Sequence, residues 1–505
     1  KHPNIQTPMH ACCASPLKLC HIAARRLRFR GERVRVHSSK VEGYVSIGSF
    51  HSENVEELLR LPDDQYIPPL LPFDSLPITS EFVMKEQQKQ QSLAGEENWT
   101  FLNHGAFGAS LKCGYDRAQQ WRLHLECQPL RFFDRDLLPH LVYGARKLAQ
   151  FVNAERDGIA LLPNVTSGLN SVLSGYARVH SSSLSSSCND KLPKILLWDV
   201  SYGSVKKMAS QYCNNNIIEI PLLHPKYQDQ MGHEDVFLEA LEDTLQTQQD
   251  WTNTLFIMDH TTSNTALNMP IERLGKRAKE AGMITLVDGA HGLLAQDIDF
   301  KKLSSIDMYL SNGHKWLSCP RGVAFLYCPR EELRGTILRQ PSIVSHGLDD
   351  GYFSRFIWDG TRDYAAQLAL PVVLDFWTQA DPATVRTWMK SKLKDAIHCL
   401  AETWHPSRYS QDSENWSGRV TLASLDMVSP MALVRLPHPI CGSSSTNPKT
   451  STDAKRIQDY LYDHHIEVPI KCVQNVLYVR LSCHIYNDLN EYDRLAHVMM
   501  NYPGK

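Results

Sequence analysis

Three short clusters in this 505-residue sequence carry residue types that could share one piece of chemistry. Asp288-Gly289-Ala290-His291 follows the apolar run 283–287, and Ser311-Asn312-Gly313-His314-Lys315-Trp316 follows the run 307–310. Asn164-Val165-Thr166-Ser167-Gly168 follows the run 158–162. Each alone has an ordinary reading: a carboxylate ending a strand, a solvated lysine, a Thr-Ser helix cap. Together they offer what pyridoxal 5'-phosphate needs, since its aldehyde takes a lysine amine, its ring nitrogen a carboxylate and its phosphate a set of donors. In that arrangement Lys315 holds the aldehyde and Asp288 keeps the ring nitrogen protonated. Thr166 and Ser167 would meet the phosphate at a helix N-terminus. The 27 residues from Asp288 to Lys315 fit a strand-end loop, a connector and the next strand.

The elements that must position these residues are visible as short apolar runs at 158–163, 194–198, 254–258, 283–287 and 307–310. Helical stretches separate some of them, as at 271–281, where Ile271, Leu274 and Ala278 share one face. Strands alternating with helices predict an α/β fold built on a mostly parallel sheet with covered faces. Ligands of such sheets bind beyond the carboxyl ends of the strands, where all three clusters fall. No GxGxxG or GxxxxGK[ST] stands at a strand-to-helix turn, which disfavours a nucleotide-binding doubly wound protein. The polar runs 181–187 and 442–452 are expected to be surface loops.

Lys+Arg number 53 against 55 Asp+Glu, so no overall charge points to nucleic acid or an anionic membrane, and neither is expected as a partner. No uninterrupted apolar stretch is long enough to span a bilayer. The 13 cysteines are scattered without a CxxC, unlike a disulfide framework or a zinc ribbon. The first forty residues hold nine Lys/Arg and one acid, the pattern of an organelle transit peptide or of a disordered tail. Met9 and Met84 are alternative starts. The expectation is therefore a cytoplasmic protein, or a mitochondrial one if the leader is a transit peptide. Residues 1–95 read as leader and proline-punctuated linker, poorly ordered, with the folded body beginning near Trp99.

A wider set of motifs carries a family resemblance. Phe101-Leu102-Asn103-His104-Gly105-Ala106-Phe107-Gly108, His260-Thr261-Thr262-Ser263, Trp358-Asp359-Gly360-Thr361-Arg362-Asp363 and Val479-Arg480-Leu481-Ser482 join the three clusters in order. The chain resembles the class V aminotransferases, fold-type I pyridoxal phosphate enzymes, and within them the isopenicillin N epimerase-like and cysteine desulfhydrase-like branch. The resemblance implies a large domain over 96–365, with a seven-stranded sheet between helices, and a smaller α+β domain over 366–505. It implies that Lys315 is the cofactor lysine, that Asp288 partners the ring nitrogen and that His291 bonds the ring's phenolic oxygen. Thr166, Ser167, Asn312 and His314 resemble phosphate-side ligands. Gly360-Thr361 resembles the segment that reaches the phosphate of a neighbouring subunit, which implies a homodimer with shared sites. Arg480 resembles the fork that holds a substrate carboxylate, and Asn103 and His104 lie where the N-terminal segment lines the substrate pocket. Tyr202 is either a ring-stacking aromatic or an ordinary core or surface tyrosine. His260 contacts the site or caps its turn. Arg131 reads better as a surface residue than as a second substrate anchor.

The implied activity is proton abstraction at the α-carbon of an amino acid, with Lys315 as general base. Loss of a β-thiolate from a cysteine-like substrate leads, with epimerisation or transamination as alternatives. A catalytically inactive scaffold is the non-enzyme alternative, against which the retained Lys315, Asp288, Thr166 and Arg480 weigh. A persulfide-forming mechanism needs a mobile cysteine, and 339–363 contains none. Cys319 and Cys328 read as packing residues, and Cys441, in a Ser/Gly-rich run, is the sole candidate thiol.

Overall fold

The computed structural model describes residues 55–94, 97–181, 193–228, 233–407, 409, 420–443 and 447–504. The basic leader, the loop 182–187 and residues 444–446 lie outside the described residues. Backbone pairing starts with β1 (Thr100–Phe101). The central sheet uses β2 (Ile159–Leu162), β3 (Ile195–Trp198), β4 (Ile217–Ile220), β5 (Leu255–Asp259), β6 (Ile284–Asp288), β7 (Met308–Asn312) and β8 (Ala324–Tyr327). Their order is β2-β8-β7-β6-β5-β3-β4, and only β8 runs against its neighbours. The fold is thus the expected α/β one with a mostly parallel sheet. Most of its strands are buried along their whole length, which is why they read as continuous apolar runs. The exception is β4, an edge strand of four residues with an exposed Glu219, too short and too mixed to stand out in the sequence.

A second, antiparallel sheet contains β9 (Met431–Arg435), β11 (Ile470–Val473) and β12 (Val476–Ser482), in the order β11-β12-β9. Helices Pro382–Trp404, Ser451–Asp463 and Leu489–Met500 give it a core of its own, which includes Leu393, Ile397, Leu461, Leu477, Val479 and Tyr492. β1 pairs in parallel with β10 (Ile466–Glu467), so the segment that leads to Asn103 is strapped to this C-terminal part.

Residues 55–94 depart from the expected loose linker. Helix Val55–Arg60 buries Val55 and Leu59, four residues apart on one face, and Glu56 Oε1 accepts from the Ser354 amide at 2.9 Å. Arg146, itself buried, donates to the carbonyls of Leu59 and Leu61 and to Asp63. The prolines between 62 and 77 dominated the sequence reading, while the one-turn apolar pattern ahead of them is too short to register as a helix.

Candidate active site

The carboxyl ends of β5, β6 and β7 open into a cavity of ≈ 340 Å³ that the C-terminal sheet closes from the other side. β5 and β6 are in register, with Asp259 opposite Asp288, so two aspartates stand side by side at their ends. Both are buried and neither is beyond the reach of the other's charge. Burial raises the Asp259 carboxyl well above its usual range, and the Asp288 charge raises it further. Asp288 is raised less, because the Ala290 amide donates to its Oδ1 at 3.0 Å and Lys315 lies close. Asp259 accepts from the Ser201 hydroxyl at 2.7 Å and is the carboxyl of the pair raised further. Asp259 escaped the sequence analysis, although the register of neighbouring parallel strands would have placed it beside Asp288.

Lys315 lines the cavity just after β7, with its Nζ 3.1 Å from His291 Nε2. Loss of hydration pulls its pKa down to about 8, opposed by Asp288 and helped by Arg480. The Trp316 indole N–H donates to His291 Nδ1 at 3.3 Å, and burial keeps the imidazole neutral. With Nδ1 accepting, the proton of His291 is assigned to Nε2, the nitrogen that faces Lys315. Two glycines make room for this wall. A Cβ on Gly289 or Gly292 would lie 2.3 or 2.0 Å from the Tyr309 ring or hydroxyl.

Among the phosphate-side residues, Thr166 is exposed in the cavity at the N-terminus of helix Val165–Ser181. Asn312 also lines it, and its Oδ1 accepts from the Val165 amide at 3.1 Å, so it ties β7 to the start of that helix. His314 lines it with Nδ1 bonded to the Val323 carbonyl, and burial lowers its pKa to about 4. Ser167 does not join them, since its hydroxyl turns back to the Asn164 carbonyl at 2.8 Å. Thr361 is exposed and lies outside the cavity of its own chain.

On the facing wall Arg480 is buried and has no acidic partner among the described residues. It donates to the Ser263 carbonyl and to Asn103 Oδ1. Asn103 thus aims the guanidinium rather than lining the cavity, and its own Nδ2 donates to Glu467. His104 departs further from expectation. It is fully buried behind Lys315, donating from Nε2 to the Lys315 carbonyl at 3.0 Å and stacking on His484 at 4.1 Å. The next three residues, Gly105 to Phe107, line the cavity in its place. Gly108 ends this turn at φ 71°, and a Cβ there would sit 2.1 Å from the His314 carbonyl. Only glycine lets the two backbones approach so closely.

Tyr202 faces the cavity, whereas His260 turns away and bonds the buried Tyr309 hydroxyl at 2.7 Å. Arg131 pairs with Asp136 at the surface. No cysteine among the described residues lines the cavity, and Cys319, Cys328 and Cys441 are buried elsewhere. Thr261, Ser263, Asn264 and Lys471 line it and were not singled out from the sequence as cavity residues.

A model of the aminotransferase class-V family matches residues 140–436. Over 421 residues the chain is 27% identical to an L-cysteine desulfhydrase of Arabidopsis thaliana, covering 78% of this chain and 86% of that protein. It is also 27% identical to an isopenicillin N epimerase of Amycolatopsis lactamdurans, covering 79% of this chain and 94% of that one. Among solved structures, a cystine C–S lyase in complex with its product cysteine persulfide superposes with a TM-score of 0.60 at 18% identity. That superposition covers 81% of this chain and 99% of the other, a likeness of fold.

Proposed function

The chain belongs to the aminotransferase class-V family and is a pyridoxal 5'-phosphate-dependent enzyme; we propose that it acts at the α-carbon of an amino acid and cleaves a cysteine-like substrate by β-elimination. The observation that carries this reading is one cavity that holds a poorly hydrated amine, a buried carboxylate and a buried guanidinium without an acid partner among the described residues.

These residues fit the cofactor. Lys315 would hold its aldehyde, Asp288 its ring nitrogen and His291 its phenolic oxygen. Thr166, at the start of the Val165–Ser181 helix, and His314 would take the phosphate, with Asn312 fixing that helix in place. Bound there, the cofactor supplies an electron sink for the pair left when the substrate loses its Cα proton. The chain supplies the rest. Arg480 forks onto the substrate carboxylate, a planar task for which it is already aimed by Asn103 and Ser263. Lys315, with a pKa of about 8, is an amine able to take the proton near neutral pH. The neutral His291 beside it can direct its Nε2–H at that amine without adding charge to the cavity. With no thiol in the cavity among the described residues, sulfur leaves as free thiol or sulfide rather than as an enzyme persulfide.

Epimerisation or transamination after the same proton abstraction is the second reading, supported by the match to isopenicillin N epimerase. Sharing of sites in a homodimer belongs to the same proposal, and the exposed Thr361, absent from its own cavity, is what supports it. So does the division of the body at residue 365/366, although Leu370, Val373 and Trp377 pack in the core of the central sheet and the core of the C-terminal sheet takes up the chain only from Leu393. Among the described residues no helix is long and apolar enough to cross a membrane. A cytoplasmic place, or a mitochondrial one reached through the Arg-rich leader, rests on sequence alone. The test is to incubate the holoenzyme with a panel of amino acids and to assay sulfide, pyruvate, ammonia and enantiomer exchange together. Sulfide and pyruvate in equal yield support elimination. Enantiomer exchange without sulfide replaces it with the second reading.

A further inference from the structure

Arg480 is not the only cation on the wall that faces the cofactor residues. In the antiparallel pair β11–β12, Lys471 stands directly opposite Tyr478, and Arg480 lies two residues beyond Tyr478 on the same strand. Directly opposed residues, and residues two apart on one strand, project from the same face of a sheet. Lys471 and Arg480 are therefore a diagonal pair on one face, with Cα atoms roughly 7–8 Å apart. Both line the cavity. The Lys471 amine makes no hydrogen bond or ion pair with any described residue, although the residue is half-buried. Burial and the Arg480 charge lower its pKa to about 8. Lys315 and His291 also feel Arg480, whereas Lys471 is not among the charges acting on either of them or on His314. Lys471 thus stands beside Arg480 on the same wall of the cavity.

We propose that Lys471 is a second substrate anchor, which holds an anionic group at the far end of the substrate side chain while Arg480 holds the α-carboxylate. The inference rests on the reading of the cavity as an amino-acid site. It narrows the substrate class to acidic α-amino acids, in particular cysteine conjugates whose sulfur substituent ends in a carboxylate or an equivalent anion. Free cysteine, with no second anion, leaves Lys471 unpaired and is the poorer substrate.

The test uses the holoenzyme and two unreactive probes, butyrate with one carboxylate and glutarate with two, titrated by calorimetry. Glutarate should bind the parent protein more tightly than butyrate. Lys471→Gln should weaken glutarate by about 10- to 100-fold, the usual cost of removing one partner from a poorly solvated charge pair. Butyrate should stay within about twofold of its parent value. Lys471→Arg should keep the preference for glutarate. Equal weakening of both probes would overturn the proposal, because Lys471 would then share the α-carboxylate with Arg480. No change in either would overturn it as well, leaving Lys471 a solvated surface charge. Borohydride reduction and peptide mapping of the same preparations separate the two levels. A pyridoxyl label on Lys315 with no glutarate preference removes the anchor alone, and a label elsewhere removes the amino-acid site itself.

Discussion

Lys315 meets three constraints at once: His291 at its amine, His104 at its carbonyl and Asp288 within range of its charge. Its pKa of about 8 gives a concrete expectation. Only the neutral amine attacks an aldehyde, so the rate at which apoprotein takes up pyridoxal phosphate should rise about tenfold per pH unit up to pH 8 and level off above it. A hydrated lysine would keep rising towards its ordinary pKa near 10.4. Stopped-flow absorbance across pH 6 to 10 checks this, and a midpoint near 10 contradicts the enclosed setting. Asp288 favours the charged amine, so Asp288→Asn should move that midpoint below 8. It should also cut turnover by about 10²–10³-fold if Asp288 acts as other preorganised charges do. Arg480→Lys should raise KM for amino acids at least tenfold with cofactor affinity unchanged, because the charge survives and the fork does not. Equilibrium dialysis of the cofactor beside steady-state kinetics separates the two effects. Lys315, Asp288 and Arg480 were legible because each brings an uncommon chemistry to a strand or strand end. Asn103 and His104 were legible only as a segment. Which of their neighbours faces the cavity depends on the single helical turn His104–Phe107 ended by Gly108, and residue type does not encode that direction.

At the scale of elements, the site is a set of strand ends held in step. β5, β6 and β7 lie side by side, and Asn312 at the end of β7 carries that order to the helix starting at Val165. Asn312→Ala leaves a buried helix-start amide without its acceptor, which costs about 1–3 kcal/mol. The melting temperature of the apoprotein should fall by a few degrees, and cofactor affinity should fall further, because the phosphate-side helix loses its tether. A normal melting curve with intact cofactor binding would show that the contact is dispensable. The buried strands and the helix Ile271–Glu280 were readable from periodicity, since one lies in continuous apolar runs and the other buries Ile271, Leu274 and Ala278. The edge strand β4 was not, because one face meets solvent over only four residues. The helix Val55–Arg60 was hidden for a similar reason: its burial is decided by Arg146 and Ser354, residues distant in sequence.

For the whole molecule, the exposed Thr361 is the residue whose proposed role one chain cannot fulfil. If it serves a partner's phosphate, mixing inactive Lys315→Ala with an inactive Thr361→Ala protein should restore about a quarter of the parent activity to the mixture, since random pairing makes about half of the dimers mixed and each of these regains one site of two. Sedimentation of the mixture verifies the pairing, and dimers without recovered activity would refute sharing. The division into a cofactor-side sheet and a C-terminal sheet follows the motif order in the sequence, but the strap that joins them was not legible. β1 and β10 are two residues each, too short to carry a pattern, and their pairing depends on partners at opposite ends of the body.

That strap has a consequence in time. Asn103 and Arg480, the pair that aims the substrate fork, are 377 residues apart. At a synthesis rate of roughly 5–20 residues per second, a ribosome needs about 20 to 75 seconds to travel between them. The wall that carries Asp288 and Lys315 has been translated well before then. On the proposed roles, the growing chain has the means to engage a cofactor before it has the means to grip a substrate. β1 and Asn103 must wait beside the ribosome for the last strands to arrive, while His104 and Gly108 meet Lys315 and His314 earlier.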